Sequence, residues 1–134
     1  MKIVSLYNKR IFLVNKYIAL GTPDPYININ LIELFFAYES GLTDTFNITS
    51  NTGYTITPSE SWIGVNYASG SGNLTVTVEM LTANSGLVSR SGTITVQSLD
   101  STITKTVTIT QNFDSQPLLY IITEGGTFGG ELVY

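Results

Sequence analysis

Apolar and polar residues alternate with a period of two in the stretches TFNITS, YTIT, LTVTVEML, SGTITVQS and TKTVTITQ. Successive side chains of a strand point to opposite faces, so this period specifies sheet with one face in a core and one in water. It puts Phe46 and Ile48, Tyr54 and Ile56, Val76 and Val78, Ile94 and Val96, and Val107 and Ile109 inward. With LIELFFA and the segment after Trp62, the count is about seven short strands at roughly ten-residue spacing. Turn residues separate them: Ser40-Gly41, Asn51-Thr52-Gly53, Pro58-Ser59, Gly70 to Gly72, Asn84-Ser85-Gly86 and Asp100-Ser101. The pattern predicts an all-β fold, an Ig-like antiparallel β-sandwich.

The chain has 134 residues, enough for one domain with a real core and no need of disulfides or metals. It has no cysteine and no histidine. The usual general base, the Ser-His-Asp constellation and the commonest zinc ligand are therefore missing. Thr, Ser, Asn and Val dominate and charged residues are 12%, a palette of strands and turns rather than helices.

Three segments follow. Residues 1–30 read as a β-prone N-terminal arm ending at Pro23 and Pro25, 31–113 as the sandwich, and 114–134 as a C-terminal strand and glycine-rich tail. Charge divides the same way. Lys2, Lys9, Arg10 and Lys16 give the first sixteen residues +4, whereas the rest carries Arg90 and Lys105 against ten acids, 2 − 10 = −8. An acidic body argues against nucleic acid as a partner. The N-terminus shows neither an uninterrupted apolar run nor a cleavage site, and no lipobox cysteine exists, so no signal peptide and no membrane insertion are expected.

Motifs for chemistry are sparse. Gly70-Ser71-Gly72-Asn73 precedes a strand, not a helix, and reads as a hairpin loop rather than a phosphate cradle. Asn47-Ile48-Thr49 and Asn73-Leu74-Thr75 are formal glycosylation tripeptides that read as chance. The acids form neither a glycosidase pair nor a calcium loop. No enzyme activity, cofactor or metal is expected. Trp62 has two readings, a ring folded over the open end of the sandwich or an exposed platform for a sugar or a protein. Arg90 and Gln111 read as ties between loops and backbone.

The body resembles the BACON domain. The order that carries the resemblance is Ser50-Asn51, an aromatic at Tyr54, Trp62-Ile63-x-Val65, Gly70-x-Gly72-Asn73, the TVTV run, Asn84, Arg90-x-Gly92-x-Ile94-x-Val96 and Val107-x-Ile109-x-Gln111. Tyr54 departs from the family, which often has tryptophan there. The resemblance implies an Ig-like sandwich of the kind found in surface glycan-degrading proteins of Bacteroidetes and in virion proteins of their phages, with a proposed affinity for carbohydrate or mucin.

Two functional expectations result. The first is an accessory phage virion protein, a capsid decoration or tail component. It would attach to other virion proteins, or to itself, through its arms by Lys9, Arg10, Phe12, Lys16, Tyr17, Phe128, Leu132 and Tyr134. The second is a carbohydrate- or mucin-binding module at the bacterial cell surface, with Trp62, Asn66, Tyr67 and Asn73 as candidate glycan contacts.

Overall fold

The computed structural model describes residues 21–116 and the short strands at 120–121 and 132–133. The body strands are β1 (Ile27–Ile29), β2 (Glu33–Phe36), β3 (Thr43–Ser50), β4 (Gly53–Pro58), β5 (Ile63–Val65), β6 (Ser69–Ser71), β7 (Leu74–Met80), β8 (Arg90–Ser98) and β9 (Thr104–Gln111). They form a 4-stranded sheet in the order β1-β3-β7-β5 and a 5-stranded sheet in the order β2-β9-β8-β4-β6. Pairing is antiparallel throughout except for β2, which runs parallel to β9. Two further strands, β10 (Tyr120–Ile121) and β11 (Leu132–Val133), pair antiparallel with each other.

The period-2 pattern becomes the core directly. Phe46, Ile48, Val76, Val78 and Met80 from one sheet meet Tyr54, Ile56, Ile94, Val96, Val107 and Ile109 from the other, all buried. Each such side chain contributes about 1.5–3 kcal/mol by leaving water. Their neighbours one position along in sequence point outward, and these are mostly threonine, serine and asparagine.

The sandwich holds two strands that the alternation does not announce. Ile27–Ile29 lies in the segment read as an arm, yet it pairs with β3, Ile27 opposite Ser50. Ser69–Ser71 lies in the glycine loop, yet it pairs with β4 as an edge strand, Gly70 opposite Tyr54. A Cβ on Gly70 would fall 3.1 Å from Tyr54 Cε2, so the glycine lets this backbone close over the ring.

Candidate functional site

One end of the sandwich is closed by a polar plug. Trp62 precedes β5 and joins the core with 8% of its surface exposed. The Arg90 guanidinium covers its ring at 4.4 Å from the centroid. Arg90 Nε donates to Gln111 Oε1 at 2.9 Å, and Nη2 donates to the carbonyl of Thr82 at 2.8 Å. Gln111 is wholly buried, and its Nε2 faces the carbonyls of Tyr38, Glu39 and Thr82 at 3.0–3.2 Å. Asn84, also buried, turns its Nδ2 to Val88 O and Asn112 O and accepts from Gly86 N. Arg90 and Gln111 are thus the loop ties the sequence suggests.

The stacking-platform reading of Trp62 is corrected here. A ring with 8% exposure and a guanidinium on one face offers no plane to a sugar. The indole folds over the open end of the sandwich, where the Arg90 guanidinium meets it.

The outer face of the 4-stranded sheet has a different character. β3 and β7 pair so that Asn47 faces Thr75 and Ile48 faces Leu74. The two Asn-x-Thr tripeptides therefore lie side by side in opposite directions. Residues 47–49 and 73–75 together line a shallow groove of about 380 Å³. Thr75 Oγ1 donates to Asn47 Oδ1 at 2.8 Å, and Ser50 N donates to Asn73 Oδ1 at 3.1 Å. Further along β7, Thr77 N donates to Asn66 Oδ1 at 2.8 Å, while Asn66 N donates back to Thr77 O at 3.2 Å.

Each of these three amide oxygens is held by the protein, which fixes the side-chain orientation. Among the described residues the Nδ2 groups of Asn47, Asn66 and Asn73 donate no hydrogen bond, and all three residues are exposed. The face therefore presents preoriented neutral donors among hydroxyls, which suits a ligand rich in hydroxyl oxygens.

Asn66 and Asn73, both named from the sequence, thus share this face. Tyr67, 45% exposed, sits on the crossover that takes the chain to the other sheet, where Ile56 N donates to Ala68 O at 2.8 Å. The sequence reading missed Asn47, Thr75 and Thr77. Their outward parity, opposite to Phe46, Val76 and Val78, is the signal that finds them. Lys9, Arg10, Phe12, Lys16, Tyr17, Phe128 and Tyr134 lie outside the described residues, and Leu132 is placed only as backbone of β11. Among the described residues no group of His, Cys, Asp or Glu is arranged to hold a metal ion.

Two packed sheets, antiparallel but for β2, with a polar outer face define an Ig-like β-sandwich module. Residues 54–112 match the BACON family model, described as "Putative binding domain, N-terminal". The match begins at β4, so β1 and β3 of the 4-stranded sheet lie outside it. No curated protein matches the chain.

Among solved structures, the fold is similar to part of a Bacteroides ovatus GH5 xyloglucanase in complex with a XXXG heptasaccharide, at 23% identity and TM-score 0.60. That likeness covers 69% of this chain and 20% of the xyloglucanase, so the chain spans about a fifth of that protein. A protein from Bacteroides thetaiotaomicron is similar at 15% identity and TM-score 0.42, over 72% of this chain and 94% of its own. Vibrio cholerae VesB protease is similar at 12% identity and TM-score 0.40, over 73% of this chain and 34% of its own.

Proposed function

We propose that this protein is a non-catalytic carbohydrate-binding module of a bacterial surface glycan system, and that it binds through the outer face of the 4-stranded sheet. The observation that carries the reading is the antiparallel pair of Asn-x-Thr tripeptides, with amide oxygens held and amide nitrogens free among the described residues. Sugar hydroxyls compete with water for such groups, so each bond nets only about 1 kcal/mol and several must act together. A face with repeated donors and hydroxyls across β3, β7 and the segments beside them meets that requirement.

The match of residues 54–112 to a family model described as a binding domain supports the reading. So does the likeness to part of a xyloglucanase, a polysaccharide-degrading enzyme. Both favour the glycan reading over the virion-accessory one. The terminal arms, with Lys9, Arg10, Phe12, Lys16, Tyr17, Phe128, Leu132 and Tyr134, are then attachment segments for a larger surface assembly.

Retention of the full chain on native gels containing soluble polysaccharides tests the reading. Wild-type protein is expected to be retarded by at least one of them. The pair Asn47→Ala with Thr75→Val is expected to weaken retardation at least tenfold while the thermal midpoint stays within a few degrees, because both residues are exposed. Undiminished retardation of that variant would move the site elsewhere.

A further inference from the structure

We infer that the ligand of this face is a neutral, linear glycan lying along β7, and that a second groove, built around Glu79, selects it against anionic sugars. The inference rests on the carbohydrate-binding reading and adds the ligand's charge class.

The second groove, of about 250 Å³, is lined by Gly64, Val65, Asn66, Thr77, Glu79 and Leu81. Gly64 creates it. A Cβ at that position would stand 2.8 Å from Leu81 Cδ2 and 3.1 Å from its Cγ, so a larger residue would push Leu81 off the place it takes across the strand. Leu81 stays 49% exposed and forms an apolar floor. Beside it stand an exposed carboxylate, Glu79, and the amide nitrogen of Asn66, which is free among the described residues. Apolar floor, acceptor and donor are the three contacts a pyranose ring asks for, through its C–H face and its hydroxyls. A carboxylate accepting from hydroxyls makes the stronger, charge-assisted kind of hydrogen bond.

Both grooves use one strand. Thr75 lines the first and Thr77 the second, successive outward positions on β7, about 7 Å apart. A chain that fills both is therefore extended along the strand.

Charge sets the class. Among residues 21–116 there are eight acids and two cations, 2 − 8 = −6. Of the cations, Arg90 is committed to Trp62, Gln111 and Thr82, and Lys105 belongs to β9 in the other sheet. The 4-stranded sheet has no cation of its own among the described residues, whereas Glu79 lies in the groove itself. A uronate or sulfate there meets a like charge at hydrogen-bonding range, which is repulsive.

The test is affinity electrophoresis of the full chain on xyloglucan and galactomannan as neutral polymers and on polygalacturonate and chondroitin sulfate as anionic ones. Wild-type protein is expected to bind a neutral polymer at least tenfold more tightly than either anionic one. Glu79→Gln is expected to narrow that ratio at least tenfold, and Glu33→Gln, an equal charge change on the 5-stranded sheet, to leave it unchanged. Anionic polymers bound as tightly as neutral ones, a ratio untouched by Glu79→Gln, or an equal effect of Glu33→Gln would each overturn the inference. If the Asn47 and Thr75 pair abolishes binding but Glu79→Gln changes nothing, the glycan site stands and only the selection by Glu79 falls. No retardation by any polymer removes both readings.

Discussion

The guanidinium of Arg90 lies 4.4 Å from the centroid of the Trp62 ring and bridges from there to Gln111 at 2.9 Å. The only tryptophan is thus a lid on the core, and the strand that begins at Arg90 supplies its outer surface. Truncating Trp62 to alanine removes a large core side chain and is expected to cost about 3–5 kcal/mol. The ion–ring contact itself is a smaller quantity, about 0.5–2 kcal/mol. A double-mutant cycle with Trp62→Phe and Arg90→Met, read by urea unfolding, is expected to give a coupling in that range. A coupling near zero would make Arg90 a hydrogen-bonding tie only.

Gln111 has a more exacting role. Its amide satisfies carbonyls of Tyr38, Glu39 and Thr82 that come from two different loops. Gln111→Leu keeps the volume but leaves the Glu39 carbonyl and the Arg90 Nε without that partner, while Tyr38 O keeps Asn84 N and Thr82 O keeps Arg90 Nη2. Unpaired buried groups cost about 1–3 kcal/mol each, so a loss of at least 2 kcal/mol is expected in chemical denaturation. Gln111→Glu is expected to be no milder, since it still accepts from Arg90 but turns a carboxylate oxygen toward carbonyls that accepted from the amide.

These two cases show what sequence carries and what it omits. β7, β8 and β9 are legible because seven to nine residues of strict alternation admit one inward face. β1 and β6 are three residues each, and as edge strands they are held by backbone pairing that leaves little trace in side-chain pattern. At the site, Asn66 and Asn73 stand out as polar loop residues. That Asn47 meets Thr75, or that Leu81 crosses Gly64, depends on strand register and packing between segments distant in sequence. The covering of Trp62 is set by an arginine 28 positions away, which no local pattern around the tryptophan reports.

The β8–β9 hairpin is pinned by Asp100. Its Oδ1 accepts from Ser98 Oγ at 2.7 Å, from Thr102 Oγ1 at 2.8 Å and from Thr102 N at 3.1 Å, and Ser101 takes φ 63° to close the turn. The Ser98 hydroxyl and then the Thr102 groups hold the carboxyl below its ordinary 3.8. A depressed folded value means the stabilisation is complete above the unfolded value and disappears as pH falls through the folded one. The stability difference between wild type and Asp100→Asn is therefore expected to be constant above about pH 5 and to shrink below about pH 3.8. Urea midpoints across that range measure it, and a difference that grew with acid would reverse the sign of the assignment.

Tyr54 links the core to the β6–β7 turn, and its pH response runs the other way. The ring is fully buried, and its hydroxyl donates to Gly72 O at 2.8 Å. Burial raises its pKa above 10.0, so its contribution is whole below the unfolded value and is lost as pH rises through the raised one. Tyr54→Phe is expected to cost about 1 kcal/mol at neutral pH, the net value of one hydrogen bond, and to soften alkaline unfolding. The glycines beside it separate two physical effects. At Gly70 an added Cβ would come within 2.9 Å of Leu74 Cδ2 and 3.2 Å of Tyr54 Oη, so Gly70→Ala is overpacking, about 1–3 kcal/mol. At Gly72 the added Cβ meets nothing within 4 Å, but φ is +69°, so Gly72→Ala costs only the left-handed backbone penalty, about 1–2 kcal/mol. The Tyr54→Phe background removes the Oη contact but keeps Cε2 at 3.1 Å and Leu74 Cδ2 at 2.9 Å, so the Gly70→Ala cost is expected to persist there, as is the Gly72→Ala cost. Thermal unfolding of the three single and two double variants decides it: a Gly70→Ala cost that fell with Tyr54→Phe would show that the hydroxyl, not Leu74 and the ring carbons, sets the limit at Gly70.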